Sequence, residues 1–176
     1  CLSKCPYCDF YSVAYSRETA AEYAAAVIRN LRRYNGERFD TVYFGGGTPV
    51  LLWRHIGDML AAAGIDGGAE ITVEANPCMA TDEVLRGLKS CGVNRLSYGV
   101  QSLNDNELKL LGRRHSSETA VEAIERSHNC GFENISADIM LATPRQTLQS
   151  LAHTLDGLTR LPLTHISSYL LKIEEN

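Results

Sequence analysis

The chain has 176 residues, with 17 basic and 21 acidic side chains and a formal net charge of −4. This balance lacks the basic surface of a nucleic-acid-binding protein, and no apolar run approaches the roughly 18 residues that a membrane span needs. We therefore expect no nucleic-acid partner and no membrane span. Because 44% of the residues are hydrophobic, we expect one ordered domain over residues 1–176 with a sizeable core.

The predicted elements alternate between helix and strand along the chain. Helices are predicted over residues 17–34, 49–63, 82–90, 116–130 and 146–161, with a short helix capped by Asn104, and strands over 41–44, 70–76, 95–101, 134–141 and 165–173. Gly64, Gly92 and Gly131 mark the predicted ends of three helices. Strands that alternate with crossover helices form a parallel α/β sheet, here either open and doubly wound or part of a (β/α) barrel. Because the strands are largely apolar, we expect both faces of the sheet to be covered.

Polar and glycine residues gather at the carboxyl ends of the predicted strands. In chain order they are Gly45 to Thr48, Glu74 and Asn76, Gln101 and Ser102, Asp138, and Lys172 and Glu174. A parallel sheet brings these ends to one rim, which predicts a concave polar site there. Each residue also has a structural interpretation, as part of a turn, a loop cap or a helix cap. An unpaired Asp138 inside an apolar strand is costly, however, and therefore favours a functional role.

The sharpest signal is the spacing of three cysteines, Cys1, Cys5 and Cys8, within the first eight residues. Three thiolates on one loop can hold a soft metal or an iron–sulfur cluster, whereas Cys5 and Cys8 alone fit a redox pair or half of a zinc site. Three ligands on a four-iron cube leave one iron open for a chelating ligand. The other cysteines are expected to be small buried hydrophobes, and reduced thiols indicate a cytoplasmic protein. These other cysteines are Cys78, Cys91 and Cys130.

Five motifs in chain order resemble the radical S-adenosylmethionine (SAM) superfamily and, within it, the oxygen-independent coproporphyrinogen III oxidase family with its HemW-like branch of haem chaperones. Residues 1–8 (CLSKCPYC) resemble the cluster loop, and residues 45–49 (GGGTP) resemble the glycine motif. Residues 74–77 (EANP), 92–102 (GVNRLSYGVQS) and 111–113 (LGR) narrow the match. The resemblance runs over essentially the whole chain.

The resemblance implies a partial (β/α)6 TIM-like barrel of the radical SAM type, with residues 1–176 as a fragment of the core domain. A first strand and a C-terminal domain are then expected outside this sequence. Cys1, Cys5 and Cys8 are implied as the ligands of a [4Fe–4S] cluster, and SAM would chelate the open iron through its amino and carboxylate groups.

The remaining site residues follow from the same motifs. Gly46 and Gly47 would let the backbone approach the methionine end of SAM, and Thr48 would add a hydroxyl. Glu74 would accept a hydrogen bond from the ribose or amino group, and Tyr7 would lie beside the adenine.

A second SAM is implied at Gln101, Arg113 and Asp138, with a backbone contact at Lys172. The implied chemistry is reductive cleavage of SAM to methionine and a 5′-deoxyadenosyl radical that abstracts hydrogen from a substrate. No side chain is assigned as a catalytic acid, base or nucleophile. An electron donor such as flavodoxin is expected to supply the electron.

Phe10 separates the two branches of the resemblance. In the coproporphyrinogen dehydrogenases the cluster loop has the pattern CxxxCxxCxC, and in this chain Phe10 stands at the position of the fourth cysteine. The HemW-like interpretation is therefore a haem chaperone that retains cluster and SAM, binds haem or a porphyrin, and delivers haem to a target protein. The alternatives are a coproporphyrinogen III dehydrogenase, which decarboxylates propionates oxidatively, and a structural zinc or cysteine domain. Each histidine is a candidate haem ligand, with a surface or capping role as the alternative: His55, His115, His128, His153 and His165.

Overall fold

The structure, a computed structural model, describes residues 1–34, 36–65 and 68–172. Its centre is a parallel sheet of five strands that span Thr41–Phe44 (β1), Glu70–Ala75 (β2), Arg95–Gln101 (β3), Asn134–Leu141 (β4) and His165–Leu170 (β5). The helices span Arg17–Leu31 (α1), Trp53–Ala63 (α2), Asp82–Ser90 (α3), Asp105–Leu110 (α4), Ser117–Asn129 (α5) and Leu148–Leu158 (α6). Short 3-10 turns lie at Arg32–Tyr34, Pro49–Leu52 and Pro77–Met79.

The strands lie side by side in the order in which the chain produces them. An open doubly wound sheet reverses its strand order at a switch point, and none of the five described strands does so. This order is that of a barrel wall, which confirms the partial-barrel prediction over the doubly wound alternative. Within the described residues, 1–34, 36–65 and 68–172, no helix is both long and apolar enough to cross a membrane.

Polar side chains cap the starts of five helices. Thr81, Asn104 and Ser116, at helix starts that the sequence predicts, each accept a hydrogen bond from a backbone N–H of the first helical turn. Ser16 and Thr147, which the sequence analysis did not identify as caps, do the same. Such a bond satisfies one of the donors that a helix start leaves without an intrahelical partner. The predicted start of the last helix at residue 146 is therefore wrong by two positions, because the Thr147 cap places the first helical residue at 148.

The ends of the helices are also set by sequence. Gly64, Gly92 and Gly131 follow α2, α3 and α5 with positive φ angles, as predicted. Gly112 ends α4 in the same way, at φ 68°. The predicted strand bounds 41–44, 95–101 and 134–141 are confirmed. The last strand ends at Leu170, so its predicted extension through residues 171 and 172 is wrong, and Ile173 and Glu174 lie outside the described residues.

One face of the sheet carries the hydrophobic core. Leu96, Tyr98 and Val100 of β3 are fully buried in a cluster that also contains Leu88 of α3 and Ile124 of α5. Alternate residues of β2 and β4 join the same cluster. The helices therefore cover a single face, and successive side chains on each strand point alternately toward the helices and away from them.

The opposite face is polar, so the expectation that both faces are apolar and covered is wrong. Arg95 donates from Nη1 to Thr72 Oγ1 over 3.3 Å and from Nη2 to Ser136 Oγ over 3.2 Å. Ser136 in turn donates to Ser97 Oγ over 2.8 Å. A hydrogen-bonded layer of small hydroxyls and one guanidinium thus lines the inner wall of the partial barrel. Thr72 and Ser136 are fully buried within this layer, and Ser97 lies at the edge of the cavity described below.

Candidate functional site

A cavity of about 490 Å³ opens at the carboxyl ends of the strands. Its walls are the cysteine loop, the glycine turn after β1 and the ends of β2 to β5. It is lined by all twelve of the residues that the family resemblance implies for the cluster and SAM, namely Cys1, Cys5, Tyr7, Cys8, Gly46, Gly47, Thr48, Glu74, Gln101, Arg113, Asp138 and Lys172. The structure thus brings together residues that lie up to 171 positions apart in the sequence.

The cysteine loop lies against the glycine turn. The Thr48 hydroxyl donates to Cys1 Sγ over 3.1 Å. A Cβ atom on Gly47 would lie 3.1 Å from Ser12 Cβ and 3.2 Å from Cys1 Sγ. These separations are at the lower limit of carbon contacts, so a side chain larger than hydrogen at position 47 would push the loop outward.

The second anchor of the cysteine loop is Arg113, in the segment between α4 and α5. Its Nη1 donates to the Tyr7 hydroxyl over 3.3 Å and to Cys5 Sγ over 3.7 Å, and its Nη2 donates to the carbonyl of Gly99 over 2.7 Å. Burial raises the pKa of Tyr7, although the positive charge of Arg113 acts in the opposite direction. Tyr7 therefore remains a neutral phenol that can both accept from the guanidinium and donate to a ligand.

The donor set fits a [4Fe–4S] cluster better than a closed zinc site. Cys1, Cys5 and Cys8 are half-buried, unpaired thiols at one end of the cavity. Within the described part of the chain, no three His, Cys, Asp or Glu side chains converge on one point as ligands of a single metal ion. Structural zinc needs four such ligands. A four-iron cube instead takes one thiolate on each of three irons, and three free thiols that line one cavity offer that donor set.

Glu74 holds the glycine turn from the end of β2. The Tyr43 hydroxyl donates to Glu74 Oε1 over 2.8 Å, and the backbone N–H of Gly46 donates to Oε2 over 3.0 Å. Partial burial and the adjacent Glu74 carboxylate raise the pKa of Tyr43, so the hydroxyl keeps its proton and remains a donor. Both oxygens of Glu74 are thus oriented by the protein and retain lone pairs for a ligand.

A bulge near the end of β3 turns Gln101 into the cavity. The register between β3 and β4 shifts between Gly99 and Gln101, and Gln101 has a left-handed φ of 72°. The ring of buried His115 bonds through Nε2 to the carbonyl of Val100 over 2.9 Å. Burial, reinforced by the Arg113 charge, lowers the pKa of His115 to about 4. This neutral, bonded imidazole fixes the bulge and does not face the cavity as a haem ligand would.

Asp138 of β4 faces the same cavity beside Gly99 of β3. Burial raises the pKa of its carboxyl, and the negative charge of Glu74 adds to this effect. The hydroxyls of Ser167 and Ser97 and the charge of Arg95 act in the opposite direction. Asp138 is therefore not an unpaired acid in an apolar strand, since it belongs to the polar inner face.

Some residues singled out in the sequence have other roles. Ser102 is fully buried and donates to Glu107 Oε2 over 2.7 Å, so its structural interpretation is correct. Asn76 accepts from the backbone N–H of Cys78 over 3.3 Å as a loop cap, and it also lines the cavity. Cys78 is exposed, because its 3-10 turn lies at the surface, and its predicted burial is wrong. Cys91 and Cys130 are half-buried against the core.

Sequence reasoning missed several residues that line the cavity. These are Ser97 of β3, Met140 of β4 and Tyr169 of β5, together with Tyr43 behind Glu74. All of them lie at alternate positions in phase with Glu74, Gly99 or Asp138. The two-residue period of a strand would have identified them, had the inner face been recognised as polar.

Comparison with known proteins gives one consistent picture. The sequence model of the radical SAM superfamily matches residues 1–158. The haem chaperone HemW of Lactococcus lactis is 35% identical over 181 aligned positions, which cover 100% of this chain and 48% of the relative. The mitochondrial radical SAM domain-containing protein 1 of Bos taurus is 37% identical over 99% of this chain and 41% of its own length. The chain therefore spans about half the length of the curated relatives it matches.

A solved structure gives the same result for the fold. Coproporphyrinogen III oxidase (HemN) from Escherichia coli, described as a radical SAM enzyme, superposes with a TM-score of 0.87 at 25% identity. The match covers 98% of this chain and 42% of that protein. These findings confirm the resemblance indicated by the five sequence motifs.

Proposed function

This chain belongs to the radical SAM superfamily, and we propose that it is the core of a HemW-like protein that binds a [4Fe–4S] cluster and SAM and acts as a haem chaperone. The proposal is carried by three thiols at the rim of a polar cavity, together with Phe10 in place of a fourth thiol. Similarity to HemW over the whole chain supports the same assignment.

The thiols of Cys1, Cys5 and Cys8 would each hold one iron of the cluster, and the fourth iron would remain open to a chelating ligand. When bound and reduced, the cluster supplies the electron for reductive cleavage of SAM. The part of the chain itself is to bind, orient and exclude water. Thr48 and Arg113 already donate toward two of the three sulfurs, which lowers the cost of gathering thiolate charge at one end of the cavity.

The predicted SAM contacts have physical support in the cavity. Gly46 and Gly47 offer bare backbone for close approach of the methionine end, and Glu74 is oriented to accept from an amino group or ribose hydroxyl. Tyr7 offers an aromatic face for adenine and lies on the same wall as the cysteines.

Gln101, Arg113, Asp138 and Lys172 line the same cavity from β3, from the segment between α4 and α5, from β4 and from the residues after β5. We assign these four residues to a second SAM. A guanidinium beside carboxylate and amide side chains suits the mixed charges of an amino acid moiety.

We further propose that the chain acts in the cytoplasm, takes electrons from a donor such as flavodoxin, and passes haem to an acceptor protein. Six free thiols suit a reducing compartment.

A second candidate, coproporphyrinogen III dehydrogenase, is favoured by the structural similarity to HemN. The absent fourth thiol at Phe10 argues against it. The two candidates share the cluster and SAM and differ in what happens to the porphyrin.

The decisive experiment begins with anaerobic reconstitution of the protein with iron and sulfide. We expect about four irons per chain, an EPR signal after reduction, and a change of that signal when SAM is added. The variant in which Cys1, Cys5 and Cys8 are all replaced by Ala should hold no cluster. Zinc without iron or sulfide would overturn the proposal.

Titration with haem then separates the two candidates. We expect saturable binding with a shifted Soret band and no vinyl product from coproporphyrinogen in the presence of SAM and dithionite. Formation of the vinyl product would establish the dehydrogenase, and absence of any haem-dependent shift would reject the chaperone.

A further inference from the structure

Arg113 connects three parts of the site that are distant in sequence. Its guanidinium contacts Cys5 and Tyr7 on the cysteine loop and the carbonyl of Gly99 on β3. The residue is half-buried, and its Nε atom is buried without a hydrogen-bond partner. The Gly99 contact, at 2.7 Å, is the shortest of the three and fixes the plane of the guanidinium. With Nη2 engaged by this carbonyl, Nη1 lies toward the Cys5 sulfur.

The backbone next to Arg113 is also pressed against the cysteine loop. Gly112 has φ 68°, and a Cβ atom on it would lie 2.6 Å from Cδ of Pro6. Pro6 immediately follows Cys5. The segment from Gly112 to His115 therefore contacts the loop through its backbone, the thiol through Arg113, and the β3 bulge through His115. Arg113 is positioned from two sides, so its contact with Cys5 does not depend on a freely rotating side chain.

A guanidinium beside a cluster thiolate has a defined electrostatic consequence. One-electron reduction by a low-potential donor adds one negative charge to the cluster and its sulfurs, with no bond made or broken. A fixed positive charge and an N–H···S hydrogen bond stabilise this more negative state over the oxidised one. Hydrogen bonds to the sulfurs are among the features that set the potentials of such clusters.

We propose that Arg113 is a positioning residue that raises the reduction potential of the cluster through its hydrogen bond to Cys5, in addition to any contact with SAM. The inference rests on the proposed function, because it requires the cluster. It makes residues 112–115 the segment that couples the geometry of the β3 bulge to the ease of cluster reduction.

The test compares reduction potentials of the reconstituted protein without SAM, measured by EPR-monitored titration with dithionite. We expect Arg113→Gln to have a more negative potential than the wild type at equal iron and sulfide content. Arg113→Lys retains the charge but not the fork that reaches both Gly99 and Cys5, so its potential should fall between the two. Arg114→Gln removes the same charge from the exposed neighbouring position and should shift the potential much less.

Each outcome decides the matter. Equal potentials in the wild type and Arg113→Gln would overturn the proposal, as would an equal shift in Arg114→Gln, which would show that only bulk charge matters. If Arg113→Gln holds no cluster, the lysine variant decides, and a wild-type potential there overturns the proposal. A wild-type protein that holds no iron and sulfide would instead reject the proposed function.

Discussion

The hydroxyl of Tyr43 donates to Oε1 of Glu74 over 2.8 Å, and this bond joins the middle of one strand to the end of the next. The other oxygen of Glu74 accepts from the backbone of Gly46, so the same carboxylate fixes the glycine turn. Tyr43 lies on the inner face of β1 and would not be identified as functional from residue type alone. Through Glu74 it sets the position of the backbone that the methionine end of a bound SAM would contact.

The variant Tyr43→Phe tests this relationship. Loss of one hydrogen bond of this kind costs about 0.5–1.5 kcal/mol, which corresponds to roughly 2- to 10-fold weaker SAM binding. The measurement is equilibrium binding of SAM to the cluster-loaded protein under anaerobic conditions. Tyr23→Phe on the exposed side of α1 removes a hydroxyl that does not line the cavity and should leave the affinity unchanged. Wild-type affinity in Tyr43→Phe would show that Glu74 holds the turn without its help.

The contact between Gly112 and Pro6 gives a prediction about cluster loading. Gly112→Ala places a methyl group 2.6 Å from Pro6 Cδ and also strains the left-handed backbone. We expect a loss of about 1–3 kcal/mol in unfolding free energy and a lower iron content after reconstitution.

Gly131→Ala is the matched control, because Gly131 ends α5 in the same conformation and only the flexible end of Lys89 lies near it, at 3.8 Å. It should lose stability but keep full iron content. Equal iron content in both alanine variants would contradict a role of Gly112 in seating the cysteine loop.

The limits of the helices and strands could be predicted from the sequence more fully than the contacts within the candidate site. Strand limits such as 95–101 and 134–141 were predictable, because each apolar run begins three positions after a glycine that ends the preceding helix. The cysteine spacing and the glycine turn were equally visible. The contact of Arg113 with Cys5 was not, because it joins residues 108 positions apart and depends on how the segment after α4 packs. The left-handed Gln101 was hidden as well, since a non-glycine residue carries no local signal for that conformation.

The buried carboxyl of Asp138 should lower the stability of the cluster-free protein at pH 7. Its folded-state pKa is raised above that of the unfolded chain, so the neutral form is favoured in the fold. The stability associated with the neutral carboxyl is fully present below the unfolded pKa and is lost as pH rises through the folded value. Asp138→Asn should therefore stabilise the cluster-free protein at pH 7, and this advantage should disappear in acid.

Chemical denaturation of both proteins at pH 7 and at pH 3.5 measures this difference. The same variant should bind SAM more weakly, because the amide cannot ionise and replaces one of the two carboxyl oxygens with an NH2 donor. A destabilised Asp138→Asn at pH 7 would mean that the bonds from Ser97 and Ser167 outweigh the cost of burial.

The buried ring of His115 should make the stability of the protein depend on pH in the opposite direction, with stability lost as pH falls. Burial lowers its pKa from 6.5 in the unfolded chain to about 4 in the fold, so the unfolded chain binds the extra proton first as pH falls. The stability contributed by the neutral ring is complete above about pH 6.5 and is lost progressively as pH falls toward 4, by on the order of 3 kcal/mol.

His115→Gln keeps a donor that can reach the carbonyl of Val100 but has no proton to gain. Denaturant titrations measure the unfolding free energy of both proteins at pH 7 and at pH 4.5. The difference between wild type and variant should be smaller at pH 4.5, because only the wild type loses the stability contributed by the neutral ring. His153→Gln, which removes an exposed imidazole from α6, should keep the wild-type slope. Parallel pH profiles for His115→Gln and the wild type would mean that the folded ring takes up a proton as readily as the unfolded chain does. The role of the ring in holding the β3 bulge as a neutral donor would then fail.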